Sequence, residues 1–171
     1  MQRFRKSVLI VLIIVIALFA FLTWYKFKYA MDIAEAREIN TASAPIHLLI
    51  ATQGSDFKEQ IVERVINEFK SDSIYIKVID VTSLPDLFET SWNAVFIMHT
   101  WENWEPQEDA ASFIKNWDDK SKLVVLATSG DGGYVIEGID GISAASLPEQ
   151  VDAKSKEVID RLKPLLSSTA P

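Results

Sequence analysis

The sequence predicts one doubly wound α/β domain, with a five-stranded parallel sheet, behind a single transmembrane helix. Three observations lead to this fold class. An unbroken apolar run lies near the N-terminus, at residues 8–24. From residue 46 onward, short β-branched runs alternate with segments of helical period. The central short runs are apolar on both faces, which is typical of strands covered by helices on either side of a parallel sheet.

The apolar run 8–24 contains no charged residue, and its single polar side chain is Thr23. With Tyr25 it is long enough to cross the ~30 Å hydrocarbon core of a bilayer. A cleaved signal peptide is the alternative, but its apolar core usually spans only ~7–15 residues. The run ends in Trp-Tyr-Lys, and the nearest small-x-small triplet lies well beyond it, at 34–36. Residues 1–28 are therefore predicted to be an uncleaved anchor that contacts lipid through residues 8–25.

The charge distribution predicts orientation and partners. Three basic residues precede the apolar run and two follow it closely, which favours a cytoplasmic N-terminus and a domain on the extracytoplasmic side. All 24 acidic residues lie after residue 28, against 12 basic ones, so this part carries a net charge of −12. Such a surface repels nucleic acid and attracts basic proteins. We expect no nucleic-acid partner and a basic protein partner.

The first elements of the domain follow from periodicity. Residues 29–45 are predicted to be a juxtamembrane helix and linker, with the helix reaching residue 39. A strand at 46–52 is followed by a helix at 57–70, whose apolar residues recur every four positions. Asp56, with Glu59 three residues later, is predicted to cap that helix. The α/β domain is predicted to cover residues 46–166, followed by a tail at 167–171.

Four more strands are predicted, at 74–81, 94–98, 123–127 and, more weakly, 139–143. Between the third and fourth strands, Pro106 is predicted to occupy the first position of a helix. Ser146 and Glu149 resemble a capping box that begins the last helix. The inward stripes of these two helices are predicted to be Ala110, Phe113, Ile114 and Trp117, and Val151, Val158, Ile159, Leu162 and Leu165.

Polar, glycine-containing or tryptophan-rich turns follow three of the strands, at residues 52–56, 99–104 and 128–134. If the strand order is 2-1-3-4-5, the first, third and fourth strands are neighbours, and these loops converge at the carboxyl edge of the sheet. Open parallel sheets bind their ligands at that edge. The sequence therefore predicts a ligand site there.

Two motifs in these loops resemble the flavodoxin family over residues 46–166. His99-Thr100-Trp101 ends the third strand where flavodoxins commonly have Pro-Thr-Trp. Gly130-Asp131-Gly132-Gly133-Tyr134, with Asp140-Gly141-Ile142 downstream, is similar to the family's Gly-Asp-x-x-Gly-Tyr and Asp-Ala. The resemblance implies non-covalent FMN binding and electron transfer at a membrane. The implied cofactor-binding residues are Thr52, Gln53, Gly54, Ser55, Asp56, Thr100, Trp101, Gly130, Asp131 and Tyr134.

In this resemblance, Trp101 and Tyr134 would sandwich the isoalloxazine ring, residues 52–56 would face the phosphate, and a basic protein would be the redox partner. Nearby acidic residues would lower the reduction potential, and no catalytic side chain is implied, because the cofactor carries the redox chemistry. The phosphate loop departs from the family pattern. Flavodoxins have three hydroxyl residues where Ala51, Gln53 and Asp56 stand here.

That departure supports an alternative function, a cofactor-free flavodoxin-like module that scaffolds other proteins at a membrane. Trp101 and Trp104 would then only cover the sheet edge. His47 is predicted to be a structural histidine, whereas His99 either contacts a ligand or stabilises its loop. Two histidines and no cysteine give no zinc-binding pattern, and the sequence contains no Walker, G-x-S-x-G or G-x-G-x-x-G motif.

Overall fold

A computed structural model describes residues 2–29, 31–71, 73–87, 91–102, 104–139 and 141–167. The chain divides into two compact units, residues 1–31 and 32–171. The first unit contains the helix α1 (Gln2–Tyr29). Within it, Lys6–Tyr25 has a mean hydropathy of 2.9 over 20 residues, so this segment is long and apolar enough to cross a membrane.

The second unit is an α/β domain. In chain order its elements are β1 (Arg37–Ile39), β2 (Ile46–Thr52), α2 (Asp56–Phe69), β3 (Ile74–Asp80), a 3₁₀ helix (Val81–Asp86), β4 (Ala94–Glu102), β5 (Glu105–Pro106), α3 (Glu108–Asn116), β6 (Leu123–Thr128), β7 (Ile142–Ala144) and α4 (Val151–Ser167). Short 3₁₀ turns, Lys120–Lys122 and Pro148–Gln150, precede β6 and α4.

Five of these strands form a parallel sheet in the order β3-β2-β4-β6-β7. When only the parallel strands are numbered in chain order, the order in the sheet is 2-1-3-4-5. The predicted fold class is therefore confirmed. The fifth strand is shorter than predicted and begins three residues later, at Ile142. The order places the carboxyl ends of β2, β4 and β6 side by side, where the three polar loops follow.

Two antiparallel strands in the described residues extend this sheet, and neither was predicted from the sequence. β1 pairs with the outer edge of β3, with Glu38 opposite Lys77. The predicted helical extension to residue 39 is therefore wrong. The strand forms because it pairs with an exposed edge and because Ile39 packs against the core, although the residues of this segment are helix formers. β5 pairs with the end of β4, with Trp101 opposite Pro106 and Glu102 opposite Glu105.

The helices cover both faces of the sheet. α2 and α4 pack on one face, where the core contains Leu48, Phe96 and the inward side chains of both helices. α3 and the 3₁₀ helix Val81–Asp86 pack on the other face, over Leu49, Val95 and Ile97. The predicted stripes largely hold: Ala110, Ile114, Val151, Val158 and Leu162 are buried, whereas Phe113, Trp117, Ile159 and Leu165 are partly buried.

Three predicted helix starts are wrong in detail. Ser55 rather than Asp56 caps α2, because its Oγ accepts a hydrogen bond from the amide of Lys58 at 3.3 Å. Asp56 is the first helical residue, where its charge favours the positive end of the helix dipole. Pro106 belongs to β5, and Gln107 caps α3 through its side-chain oxygen.

The predicted capping box before α4 is also wrong. A 3₁₀ turn precedes α4, and no side-chain hydrogen bond caps it. Ser146 has a φ of 55°, in the left-handed region, so it does not adopt the extended backbone that a capping residue needs. The side chain of Gln150 instead accepts a hydrogen bond from the amide of Ala145 at 2.9 Å.

Leu162→Ala tests the packing of α4 on the sheet. Leu162 is fully buried, so its truncation leaves a cavity, and we expect the free energy of unfolding to fall by about 2–5 kcal/mol. Leu147→Ala is the matched control at a position that is 44% exposed, and it should cost less than about 1 kcal/mol. Urea unfolding followed by circular dichroism measures both. Equal losses for the two variants would contradict this placement of α4.

Candidate functional site

The loop after β2, predicted to face a phosphate, uses its polar groups within the protein. Gln53 is buried, and its Oε1 accepts a hydrogen bond from the amide of Thr100 at 2.7 Å. The hydroxyl of Thr52 is also buried and donates to Gln53 O at 3.2 Å. Ser55 caps α2. Asp56 is exposed at the start of that helix, where its carboxylate would repel an anion.

Residues 32–34, the covering segment, lie against this loop. The amide of Gly54 donates a hydrogen bond to Asp32 O at 2.7 Å. The amide of Ala34 donates to Asp80 Oδ2, also at 2.7 Å, which fixes the segment to the end of β3. A Cβ built on Gly54 would lie 2.7 Å from Asp32 O, so only glycine permits this close approach. The amide of Gly54, which would otherwise be available to an anion, is therefore used by the covering segment.

A buried lysine fills the space beneath the loop. Lys58, in the first turn of α2, is fully buried, and its Nζ donates to Thr100 Oγ1 at 2.7 Å. Thr100 Oγ1 also lies 3.0 Å from Thr128 Oγ1, on the neighbouring strand. These three side chains join the carboxyl ends of β4 and β6 to α2. We call them the polar plug.

Burial changes the protonation of two groups here. It lowers the pKa of Lys58 to about 8, although the charge of Glu102 opposes this shift. Burial also lowers the pKa of His99 to about 4; the carbonyl of Thr100 opposes that shift and the nearby Lys58 adds to it. His99 is therefore neutral at pH 7. Its Nε2 is buried and has no hydrogen-bond partner among the described residues, so His99 sits within the edge rather than facing solvent.

The other predicted site residues line a separate groove. Its lining residues are Trp101, Trp104, Ser129, Gly130, Asp131 and Tyr134, and its volume is about 400 Å³. We call it the aromatic groove. Gly130 and Asp131 are exposed, and 39% of Tyr134 is accessible to solvent. Trp101 and Tyr134 are predicted from the sequence to lie on facing loops, and the structure brings them together here.

Trp101 and Tyr134 contact each other directly. Their ring centroids are 5.1 Å apart, and the ring planes are inclined by 35°. An aromatic ring held between two others needs two stacking separations of about 3.5 Å, or about 7 Å in total. The two rings are therefore in contact, and there is no slot between them for a third ring.

The residues of this edge do not fit FMN as the resemblance implies. The ring pair is closed, and the Gly54 amide already has an acceptor in Asp32. Moreover, the buried cation of the polar plug bonds Thr100 rather than facing the loop. Among the described residues, no group of three or more histidine, cysteine or acidic side chains is placed to hold a metal ion.

The strand order decides the fold of this domain. The fold is flavodoxin-like. One similar solved structure is a flavodoxin from the domain Archaea, with 11% identity, coverage of 70% of this chain and 99% of that chain, and a TM-score of 0.49. Another is an oxidoreductase from Corynebacterium diphtheriae, with 10% identity, 73% and 99% coverage, and a TM-score of 0.46. No family model and no curated protein matches the sequence. Identities of 10 and 11% carry no information on ligands.

Three features of the flavodoxin-like edge were absent from the predicted site: Lys58, the covering segment and Trp104. Lys58 could have been found, because it lies three and four residues before Ile61 and Val62 on the inward face of α2. The covering segment left no signal, because it reaches Gly54 through backbone atoms alone. His47 was predicted to be structural, and its Nε2 lies 3.0 Å from Ala44 O.

Trp104, at the turn between β4 and β5, is the third feature. It is 82% exposed, and its φ of 64° lies in the left-handed region. This backbone conformation costs a non-glycine residue about 1–3 kcal/mol. The hairpin also pairs Glu102 with Glu105, and like charges placed opposite each other on paired strands are destabilising. Both features lower the stability of the hairpin, and the indole gains little burial in return.

Lys58→Met tests the polar plug through the pH dependence of stability. The folded-state pKa of Lys58 is lowered to about 8, so the unfolded chain binds more protons between pH 8 and 10.5, and this lysine makes stability rise with pH across that window. The rise amounts to about 3 kcal/mol at most. We expect Lys58→Met to abolish it.

Lys70→Met, at the exposed end of the same helix, is the matched control and should keep the rise. Urea midpoints measured from pH 7.5 to 10.5 provide the comparison. A parallel pH profile for wild type and Lys58→Met would show that Lys58 is not buried as described.

Proposed function

We propose that this protein is a membrane-tethered, cofactor-free flavodoxin-like module that binds a basic protein. The observation that carries this proposal is the hydrogen bond from Gly54 N to Asp32 O, because it places the covering segment on the loop that a flavin phosphate would need. With that loop covered, the carboxyl edge has lost the helix-terminus anion site that parallel sheets commonly use.

Charge supports a protein partner of basic character. The chain after residue 28 has a net charge of −12, and Glu102, Glu105 and Asp131 all lie at the carboxyl edge. A negative potential of this kind steers basic partners toward the surface and repels nucleic acid and anionic lipid. The apolar segment Lys6–Tyr25 would hold the module at the bilayer.

A membrane-tethered FMN-binding electron carrier is the second candidate. Trp101, Gly130, Asp131 and Tyr134 meet in one groove, as the resemblance implies for a flavin ring. For this function the covering segment would have to leave Gly54, and the two rings would have to separate by about 2 Å to reach the ~7 Å needed for stacking. A basic redox protein would then be the partner.

An FMN titration separates the two candidates. We expect the full-length chain in maltoside micelles to leave FMN fluorescence unquenched, because Asp32 O already holds the Gly54 amide. A variant with Gln53→Thr and Asp56→Thr restores hydroxyls at two of the family's three positions, and we expect it to remain unable to bind. A flavodoxin is the positive control.

Quenching by the wild-type chain would overturn the cofactor-free proposal in favour of the electron carrier. Quenching by the double variant alone would identify a flavin site that was lost through the loop sequence rather than through the covering segment.

Membrane tethering predicts resistance to alkaline carbonate extraction. Replacing Ile13 and Ile16 with arginine should release the chain into the supernatant, because each arginine near the helix centre costs about 2.5–3.5 kcal/mol. Ile33→Arg, at a position of the domain that is 81% exposed, is the control and should stay in the pellet. Release of the wild-type chain would contradict tethering.

A C-terminal alkaline phosphatase fusion tests the orientation. It should be active, because the proposed orientation places the domain outside the cytoplasm.

A further inference from the structure

The hairpin that carries Trp104 contains two features that lower its stability. Trp104 is held in the left-handed region, with 82% of the residue accessible to solvent, in the turn between the paired residues Glu102 and Glu105. A strained residue that persists in a structure points to a function that needs it there. The indole of Trp104 lines the aromatic groove together with Trp101 and Tyr134.

A carboxylate completes the groove. Asp131 Oδ1 accepts hydrogen bonds from Ser129 Oγ at 2.9 Å and from Gly133 N at 3.1 Å, which fix the orientation of the group. These hydrogen bonds lower the pKa of Asp131, with the larger contribution from the Gly133 amide and a smaller one from the Ser129 hydroxyl, so this side chain is ionised at neutral pH. The groove thus combines aromatic faces with a fixed negative charge.

This combination is the chemistry that recognises organic cations. The faces of tryptophan and tyrosine attract a cation through their ring quadrupoles, and guanidinium groups in particular stack on them. A cation seated beside the hairpin would also relieve the repulsion between Glu102 and Glu105. Arginine fits better than a quaternary ammonium group, because guanidinium N–H groups can donate to carboxylates whereas a quaternary ammonium has no N–H to donate. Trp101 and Tyr134 also contact each other directly, so they do not face each other across a ligand.

We propose that the aromatic groove binds an arginine side chain of a basic protein segment, with Trp104 stacking on the guanidinium and Asp131 accepting its hydrogen bonds. The inference deepens the proposed function, on which it rests, by naming the chemistry of the partner. The acidic surface attracts the basic segment over a distance, and the groove engages the guanidinium group at contact.

The test follows the indole N–H signals of the full-length chain in maltoside micelles by NMR, assigned through single tryptophan variants. The probes are the peptide acetyl-Gly-Arg-Gly-Arg-Gly-amide, the same peptide with citrulline in place of arginine, and phosphocholine. We expect the arginine peptide to shift the signals of Trp101 and Trp104 and to leave that of Trp117 unchanged. The uncharged citrulline peptide should bind at least tenfold more weakly than the arginine peptide. Added salt should lower the affinity for the arginine peptide, because it screens the attraction between the charges.

Variants identify the groups responsible. Asp131→Asn should lower the affinity for the arginine peptide at least tenfold. Asp119→Asn is the matched control and should leave this affinity unchanged, because Asp119 is an exposed carboxylate that likewise accepts a hydrogen bond from a nearby serine hydroxyl. Trp104→Gly should abolish binding and raise the urea midpoint, because glycine adopts a positive φ without strain. Loss of binding together with a lowered midpoint would indicate a structural role for Trp104 and would overturn the assignment.

The outcomes separate this inference from the proposed function. Equal binding of the arginine and citrulline peptides, or no shift with either, would overturn the arginine site. Shifts with phosphocholine alone would assign the groove to lipid headgroups and overturn it as well. In all these cases the cofactor-free function stands, provided that FMN shifts no tryptophan signal; FMN binding at Trp101 would instead overturn the proposed function.

Discussion

A backbone amide donates one strong hydrogen bond, and the amide of Gly54 donates its bond to Asp32 O. An anion site at the start of a helix depends on free amides, so this single bond changes what the carboxyl edge can do. Glycine at this position permits the approach of a neighbouring segment of the chain, which lies 2.7 Å from the place of an added Cβ. A glycine that suggested a phosphate loop in the sequence therefore serves an internal contact.

The polar groups of the polar plug are likewise bonded within the protein. An inward-facing lysine in the first turn of α2 has no solvent, so Thr100 Oγ1 supplies its hydrogen bond and Glu102 a favourable charge. Thr128 extends the contact to the next strand. Together with the covering segment, these bonds use the polar groups of the loop after β2 and of the polar plug within the protein, whereas His99 Nε2 stays buried without a partner among the described residues. The aromatic groove, which the proposed function assigns to a partner, lies instead beside the loops after β4 and β6.

Periodicity and composition were sufficient to predict the parallel strands and the helices between them, because burial on both faces of the sheet dictates apolar runs of fixed length. They were insufficient for β1. Residues 37–39 include helix-forming side chains, and their strand conformation comes from pairing with β3 rather than from local preference. The sequence likewise placed Trp101 and Tyr134 on facing loops. Their separation of 5.1 Å depends on side-chain packing between two loops, which no spacing along the chain encodes.

An exposed tryptophan usually invites self-association, but the charge of this domain opposes it. The residues after 28 carry a net charge of −12, so two copies of this part of the chain repel one another, and Glu102 and Glu105 are the paired residues on either side of the turn that contains Trp104. A basic surface experiences the opposite force and can reach the same indole. At this hairpin the left-handed backbone of Trp104, its exposure and the negative charge coincide, and under the proposed function that charge would draw a cationic partner to the exposed indole.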